Sequence, residues 1–339
     1  MKRILYIGNR LQTKSATPTS VETLGNLLFQ EGYQVYTASD KKNKILRLAD
    51  MCAAVIKLRK KVDVVLIDTY STQNFYYAVV VAWWCRRFKL SYIPILHGGN
   101  LPNRLKTSKK LSKILFQKAK INIAPSKYLY QNFKENGFSN VIYIPNTLEI
   151  KKYPFLKRTE IQPKLLWVRS FAEIYNPMLA LKVVEKLRKK YSNISLCMVG
   201  PEKDGSQKKC KAYAHENNLP VTFTGKLEKE QWVSLATEYD IFINTTNFDN
   251  TPVSVIEAMA LGLPIVTTNV GGISYLLNKD EAILVFPNSE VEMVEAVGML
   301  LTNAKKVSEI TENSRKKAES FDWETIKSQW HKLFLQDKS

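Results

Sequence analysis

One carboxylate in the sequence is set apart by its surroundings. Between Asn250 and Asn278 the chain has a single charged residue, Glu257, which is flanked by apolar residues. A carboxylate is rarely buried without a partner. Glu257 therefore either pairs with an arginine or caps backbone groups, or it faces a binding site and accepts hydrogen bonds from ligand hydroxyls. Structural ion pairs also occur in apolar surroundings, so both interpretations stay open.

The residues just before this carboxylate predict the start of a short helix. Thr251 is a suitable N-cap, Pro252 suits the first helical position, and Gly262 suits a left-handed stop. The backbone N–H groups and the positive dipole end at Pro252, Val253 and Ser254 form a site for an anion. An anion site one or two turns from a carboxylate suits a ligand with phosphates and hydroxyls, such as a nucleotide-sugar.

The elements that must position these groups are short β-branched runs separated by stretches of helical length. Twelve strands are predicted, at Arg3–Ile7, Gln34–Thr37, Val62–Ile67, Tyr92–Leu96, Ile121–Ala124, Val141–Ile144, Leu165–Val168, Ser195–Val199, Val221–Thr224, Ile241–Asn244, Pro264–Thr267 and Ile283–Phe286. Continuous apolar strands that alternate with helices are typical of parallel sheets covered on both faces. The sequence therefore predicts the α/β class.

The series of strands pauses once, at residues 145–163, which hold three prolines and several charges. This pause predicts a linker between two doubly wound domains that face a cleft. The predicted domains are residues 1–152 and 164–320, with residues 153–163 between them. Ligands of such folds bind at the carboxyl ends of the strands, so the loops after strands are the candidate sites.

The run DNTPVSVIEAMALGLPIVTTNVGG resembles the donor-site signature of glycosyltransferase family 4, which has the GT-B fold of two Rossmann-like domains. In that family two acidic residues stand eight positions apart, and here Asp249 and Glu257 match them. The resemblance implies that Glu257 binds the donor ribose and that Asp249, where Glu is usual, contacts the donor sugar. It also implies retention at the anomeric carbon. The closing segment, residues 321–339, resembles the family's helix that crosses back to the first domain.

Two further segments carry the same resemblance. In WVRSFAEIYNP, Arg169 matches an arginine that neutralises the donor diphosphate, while Tyr175-Asn176 stands where the family usually has lysine. A guanidinium can hold a phosphate in a bidentate pair. Lys226 follows the strand beside the nucleobase, although an exposed loop lysine is the simpler interpretation. The predicted donor-binding residues are Arg169, Asn176, Lys226, Asp249, Thr251, Pro252, Val253, Ser254, Glu257, Gly271 and Gly272.

A histidine with two glycines marks the first domain. The strand predicted to end at Leu96 is followed by His97, Gly98, Gly99 and Asn100, and the glycines permit close approach of a ligand. A lone histidine is more often structural than functional, but the resemblance implies a place near the reacting sugar and the acceptor. The predicted catalytic residues are His97, Asp249 and Arg169. The chain has no Asp-x-Asp motif, so neither a metal nor a cofactor is expected.

The charge of the chain is unevenly distributed. Residues 1–152 hold 26 Lys and Arg against 8 Asp and Glu, a balance of +18, whereas residues 153–339 hold 24 against 23, a balance of +1. Within residues 104–127 a basic helix is predicted, either packed on the core or lying on an anionic membrane. Its predicted apolar face is Leu111, Ile114, Leu115 and Ala119. With the aromatic and basic run at residues 75–89, the charge favours membrane contact.

The remaining features of the sequence limit the classes of protein to which it can belong. The four cysteines show no metal-ligand spacing, the N-terminus is too soon polar for a signal peptide, and no apolar run is long enough to cross a membrane. The sequence thus predicts a cytoplasmic enzyme, peripheral on the inner membrane face. It would transfer a hexosyl or N-acetylhexosaminyl group to a glycan or lipid-linked acceptor in cell-surface polysaccharide or lipopolysaccharide synthesis. The alternatives are an epimerase of the same fold and a non-catalytic sugar-nucleotide-binding protein; nucleic-acid binding is disfavoured because no recognition motif is present.

Overall fold

The computed structural model describes residues 2–10 and 19–335. The chain forms two compact units, one of residues 1–147 with 326–339 and the other of residues 148–325. All twelve predicted strands are found, and no boundary differs from its predicted position by more than two residues. The prediction of the α/β class is confirmed, because the buried β-branched runs form two parallel six-stranded sheets.

The first unit is built on a sheet with the strand order β2-β1-β3-β4-β5-β6. Its strands are β1 Arg3–Ile7, β2 Gln34–Ala38, β3 Val64–Thr69, β4 Ser91–Leu96, β5 Asn122–Ala124 and β6 Val141–Tyr143. Its helices are α1 Ser20–Gln30, α2 Lys44–Leu58, α3 Asn74–Arg87, α4 Leu101–Thr107, α5 Lys109–Phe116 and α6 Lys127–Glu135. The order reverses beside β1, so the carboxyl ends of β1 and β3 border the crevice where such sheets bind ligands.

The second unit has the strand order β12-β11-β10-β7-β8-β9. Its strands are β7 Lys164–Val168, β8 Ser195–Val199, β9 Val221–Gly225, β10 Ile241–Asn244, β11 Ile265–Thr268 and β12 Ile283–Val285. Its helices are α7 Pro177–Leu187, α8 Ser206–Glu216, α9 Lys229–Leu235, α10 Val253–Ala260, α11 Ile273–Leu276, α12 Glu290–Thr302 and α13 Ala304–Glu319. The last helix, α14 Trp323–Leu335, begins in this unit and belongs to the first unit from residue 326 onward. The order reverses between β7 and β10, which places the corresponding crevice at the ends of these two strands.

The segment expected to be a linker, residues 153–163, is packed into the second unit. Tyr153 and Arg158 are only 4% and 5% exposed. The Arg158 guanidinium donates hydrogen bonds to five backbone carbonyls, among them those of Leu261 and Gly262 at the end of α10. A buried guanidinium needs such acceptors, so the segment helps to hold α10 in place.

The basic helix predicted within residues 104–127 differs in the structure. The chain bends at Ser108 and forms two short helices, α4 and α5, and Ala119 lies beyond the end of α5. Leu115 and Phe116 of α5 are buried in the core of the first unit, and Phe116 packs edge-on against Phe133 at 4.9 Å. The predicted continuous apolar face is therefore wrong, because α5 ends at Phe116, before Ala119, and Ile114 is 44% exposed while Leu115 is buried. Across residues 2–10 and 19–335, none of the helices combines the length and the apolar character that a bilayer crossing requires.

Candidate functional site

Arg169, which was predicted to bind phosphate, and Asp249, which was predicted to contact the donor sugar, lie together at the crevice of the second unit. Arg169 directly follows β7, and Asp249 lies in the loop after β10, the neighbouring strand. Their side chains form an ion pair, and the Arg169 guanidinium lies 4.4 Å from the centre of the Tyr175 ring. Burial lowers the pKa of Arg169, and the interaction with Tyr175 opposes this change. The structure brings together two predicted residues of opposite charge and adds Tyr175 as their neighbour.

Two glycines hold the loop that carries Asp249. The N–H of Gly272 donates to the Asp249 carbonyl at 2.8 Å, and Gly271 has a φ of +51°. A Cβ on Gly271 would collide with the Asp249 carbonyl, and one on Gly272 would collide with the Asn250 backbone. The two glycines therefore allow the loop after β11 to pack directly against the loop after β10.

The helix that follows this loop begins one residue later than expected. Its N-cap is Pro252 rather than Thr251, since the Pro252 backbone is extended and its carbonyl accepts the first helical hydrogen bond, from Val255. The prediction that Thr251 caps the helix is wrong. Gly262 does end the helix in the left-handed region, at a φ of +71°. At the helix start the Ser254 hydroxyl is buried and has no hydrogen-bond partner among the described residues.

Glu257 lies in the middle of α10 and is 3% exposed. Its Oε1 accepts a hydrogen bond from the Tyr153 hydroxyl at 2.8 Å and forms an ion pair with Lys229. These contacts match the ion-pair interpretation, with lysine in the place of arginine. Burial lowers the pKa of Lys229 to about 8, and the charge of Glu230 opposes this change. Burial also raises the pKa of the Tyr153 hydroxyl.

Neither partner of Glu257 was singled out from the sequence. Lys229 stands 28 residues before Glu257, and Tyr153 stands 104 residues before it. Lys229 begins α9 in a segment of alternating charges that is typical of any exposed helix start. No local pattern distinguishes it from the other lysines, so only the folded chain identifies it as part of the site.

Two predicted donor-binding residues lie farther from this group. Asn176 adopts a left-handed conformation, with a φ of +46°, and its amide donates to the Asn288 side chain at 2.8 Å. Lys226 follows β9, the edge strand two positions from β7, and its amine lies 3.7 Å from a Glu228 carboxylate oxygen. Strands are spaced by about 4.8 Å, so Lys226 lies at the same edge of the sheet, roughly 10 Å to the side of Arg169.

The first unit has its own polar group at the ends of β1, β3 and β4. The Nε2 atom of His97 lies 2.7 Å from Oδ1 of Asp68, and the Tyr6 hydroxyl donates to the same oxygen at 2.9 Å. The ring of Tyr70 stacks on His97 with 5.2 Å between centroids. Asp68 was missed from the sequence, although an aspartate inside the otherwise uncharged strand VVLIDT is a signal that could have identified it.

The first glycine after His97, Gly98, has a different role from the expected one. Gly98 is buried, and a Cβ on it would collide with the backbone nitrogen of Ser71. Its absent side chain lets the loop approach its own chain rather than a ligand. Gly99 is half-buried and Asn100 is exposed at the start of α4, so these two residues remain accessible.

Within the described part of the chain, no three His, Cys, Asp or Glu side chains are grouped so that they could hold a metal ion. The four cysteines are free, and three of them are buried.

Comparison with solved structures places the two-unit architecture among known folds. Sucrose-phosphate synthase from Thermosynechococcus elongatus has a TM-score of 0.79 with this chain at 16% identity, over 99% of both chains. HepE from Anabaena, in complex with UDP and glucose, has a TM-score of 0.77 at 18% identity and covers 99% of this chain and 100% of its own. The fold is therefore the GT-B fold of glycosyltransferases.

Sequence comparison points in the same direction. Residues 151–317 match the family model of glycosyl transferases group 1. An uncharacterized glycosyltransferase of Haemophilus influenzae is 30% identical over 208 residues, which are 60% of this chain and 57% of the relative. Protein CapJ of Staphylococcus aureus is 25% identical over 304 residues, 82% of this chain and 73% of the relative. The chain thus spans little more than half the length of the first of these relatives.

Proposed function

We propose that this protein is a glycosyltransferase that uses a nucleotide-sugar donor. The observation that carries the proposal is the pairing of Arg169 with Asp249 at the crevice of the second unit, shortly before the start of α10, the helix that holds Glu257. The comparisons support it, since the matched family model covers this unit and HepE was solved with UDP-glucose.

The groups around this crevice suit the diphosphate, the ribose and the sugar of such a donor. The N–H groups of Val253 and Ser254, the unpartnered Ser254 hydroxyl and the Arg169 guanidinium offer donors to a diphosphate. Glu257 lies four residues after Val253 along α10, a rise of about 6 Å, and its carboxylate suits the ribose hydroxyls. Asp249 would hold the donor sugar. The pairing of Arg169 with Asp249 keeps both groups at the point where phosphate and sugar would join.

Catalysis would rest on charge stabilisation of the leaving diphosphate. Sugar transfer leaves negative charge on the diphosphate, and preorganised positive groups lower the energy of that state. Arg169 and the N-terminal end of α10 supply such groups without a metal ion. We propose family 4, a retaining hexosyl or N-acetylhexosaminyl transfer, and a role for His97 on the acceptor side.

A panel of nucleotide-sugars tests the proposal. Purified protein is screened by thermal shift, starting with UDP-glucose, and the best binder is then incubated with and without acceptor extracts. Release of the nucleoside diphosphate supports a transferase. Conversion of the donor to a second nucleotide-sugar identifies an epimerase, and saturable binding without turnover identifies a non-catalytic protein. If no nucleotide-sugar shifts the melting temperature, the proposed donor site is wrong.

We further propose that the acceptor is lipid-linked and that the first unit contacts the anionic inner face of the cell membrane, in cell-surface polysaccharide or lipopolysaccharide synthesis. Helices α3 and α5 pack side by side, and Arg86 donates to the Ile114 carbonyl at 2.8 Å. Trp83 and Ile114 are 49% and 44% exposed on these helices. Exposed lysines of α5 are Lys109, Lys110 and Lys113. Exposed apolar side chains beside basic ones fit an anionic lipid surface.

Vesicle co-sedimentation tests the membrane contact independently of activity. The wild-type protein should bind phosphatidylglycerol vesicles at low salt and not phosphatidylcholine vesicles. A basic residue near such a surface contributes about 1 kcal/mol, so glutamine at the three α5 lysines should weaken binding by roughly 100-fold. Trp83→Ser should also weaken it, whereas Phe29→Ser, at an exposed aromatic of α1, should not. Equal binding to both lipids would refute this proposal.

A further inference from the structure

The buried carboxylate of Asp68 has no assigned role in the proposed transfer. Its side chain is 1% exposed, and both of its hydrogen-bond donors, from Tyr6 and His97, meet the same oxygen, Oδ1. The other oxygen, Oδ2, is buried without a partner among the described residues. A Cβ on Gly8 would lie 2.5 Å from Oδ2, so the glycine after β1 makes room for this carboxylate at the crevice of the first unit.

The contacts of Asp68 determine which nitrogen of His97 carries hydrogen. A carboxylate only accepts hydrogen bonds, and a neutral imidazole has one donor nitrogen and one acceptor nitrogen. Because Nε2 faces Oδ1, Nε2 is the donor and Nδ1 retains a lone pair. Burial and the charge of Asp68 raise the pKa of the Tyr6 hydroxyl well above its ordinary value. Tyr6 therefore stays a donor and does not compete with Nε2 for a hydrogen.

Three contacts fix the position and orientation of the His97 ring. Its backbone N–H donates to the Thr69 carbonyl at 2.9 Å, Tyr70 stacks on its face, and Asp68 holds Nε2. The structure shows no hydrogen-bond partner for Nδ1 among the described residues, and the His97 side chain is 8% exposed. Nδ1 is thus the ring nitrogen left for a ligand, and it can accept a hydrogen bond.

We infer that Asp68 is a positioning residue that holds His97 in the Nε2–H tautomer, so that Nδ1 accepts a hydrogen bond from a hydroxyl group of the acceptor. The identity of this ligand rests on the proposed glycosyltransferase function, whereas the tautomer does not. Asp68 itself acts only through His97.

Nitrogen-15 NMR of the imidazole rings tests the tautomer directly. The chain has three histidines, and the His97 signals are assigned by their loss in His97→Gln. At a pH where the ring is neutral, the wild-type protein should show hydrogen on Nε2 only. In Asp68→Asn the amide can present either its oxygen or its NH₂ group to the ring, so both tautomers should appear. Asp63→Asn, the same change at the opposite end of β3 where Asp63 pairs with Arg3, should leave the tautomer unchanged.

A kinetic readout separates positioning from a structural effect. Asp68→Asn should raise the acceptor KM about twofold if the two tautomers are equally populated, and up to about tenfold if the Nδ1–H form dominates and the hydrogen bond of about 1.4 kcal/mol is lost. Calorimetric affinity for the donor should change less than twofold, because donor binding is assigned to the second unit. Tyr6→Phe retains Asp68 and should keep the Nε2–H tautomer, and it serves as the second variant if Asp68→Asn does not fold.

The outcomes are distinguishable. Three results would each overturn the inference. The first is hydrogen on Nδ1 of His97 in the wild type, and the second is an unchanged tautomer in Asp68→Asn. The third is loss of the Nε2–H tautomer in a Tyr6→Phe protein whose spectrum shows that it is fully folded. Absence of sugar transfer in the wild type would refute the proposed function while the NMR result still decides the role of Asp68.

Discussion

Substitution of Glu257 by glutamine separates the ligand role of this residue from its contacts within the protein. Glutamine has nearly the same shape, and its side-chain carbonyl can still accept the hydrogen bond from Tyr153. The change removes the negative charge that faces Lys229. Since the Lys229 side chain is 34% exposed, its amine can turn toward water, and the loss in the free energy of unfolding should be about 1 kcal/mol or less.

The effect on the donor should be larger than the effect on stability. A hydrogen bond to a charged acceptor contributes about 1.5–3 kcal/mol, and one to a neutral acceptor contributes about 0.5–1.5 kcal/mol. The difference of about 1–2 kcal/mol predicts an affinity for the nucleotide-sugar roughly 5- to 30-fold lower in Glu257→Gln. Isothermal titration calorimetry with UDP-glucose, or with the best binder of the panel, measures it.

A matched control is available in the same unit. Glu281 is also a largely buried carboxylate that pairs with a lysine, Lys317. Glu281→Gln should bind the donor within twofold of the wild type. If Glu257→Gln does the same while remaining folded, Glu257 serves only Tyr153 and Lys229, and the proposed ribose contact is refuted.

Three further predictions concern the groups around this site. Arg158→Met leaves carbonyls at the end of α10 without their donor and should lower the free energy of unfolding by about 3–5 kcal/mol, measured by urea denaturation; a loss below about 1 kcal/mol would contradict the packing argument. Lys229 should titrate at about pH 8 in carbon-13 NMR of the dimethylated protein, so its ion pair with Glu257 weakens from pH 7 to 9; a midpoint near 10 would show that burial does not dominate. Arg169→Lys loses the bidentate geometry and should weaken binding of UDP roughly tenfold but binding of uridine less than twofold; equal losses would place Arg169 away from the diphosphate.

Much of the architecture was predictable because it depends on neighbours along the chain. β-Branched runs form strands wherever they occur, and their alternation with helices leads to parallel sheets. Arg169 and Asp249 were singled out by the resemblance to family 4. The fold brings them together because each follows a strand and neighbouring parallel strands share one carboxyl edge. The helix after Asp249 was predicted with an error of one residue at its start, where proline as N-cap displaced Thr251.

What tertiary structure alone decided is which distant residues become partners. Glu257 meets Lys229 and Tyr153, and His97 meets Asp68 across 29 residues. The basic helix was mispredicted on the same grounds, since the chain bends at Ser108 and the helix after the bend buries Leu115 and Phe116 in the core. Local propensity and periodicity are properties of a few adjacent residues, so the sequence determines the elements and their order. A charge partner is selected by burial, which exists only after the sheets have assembled and have excluded water from the carboxylate.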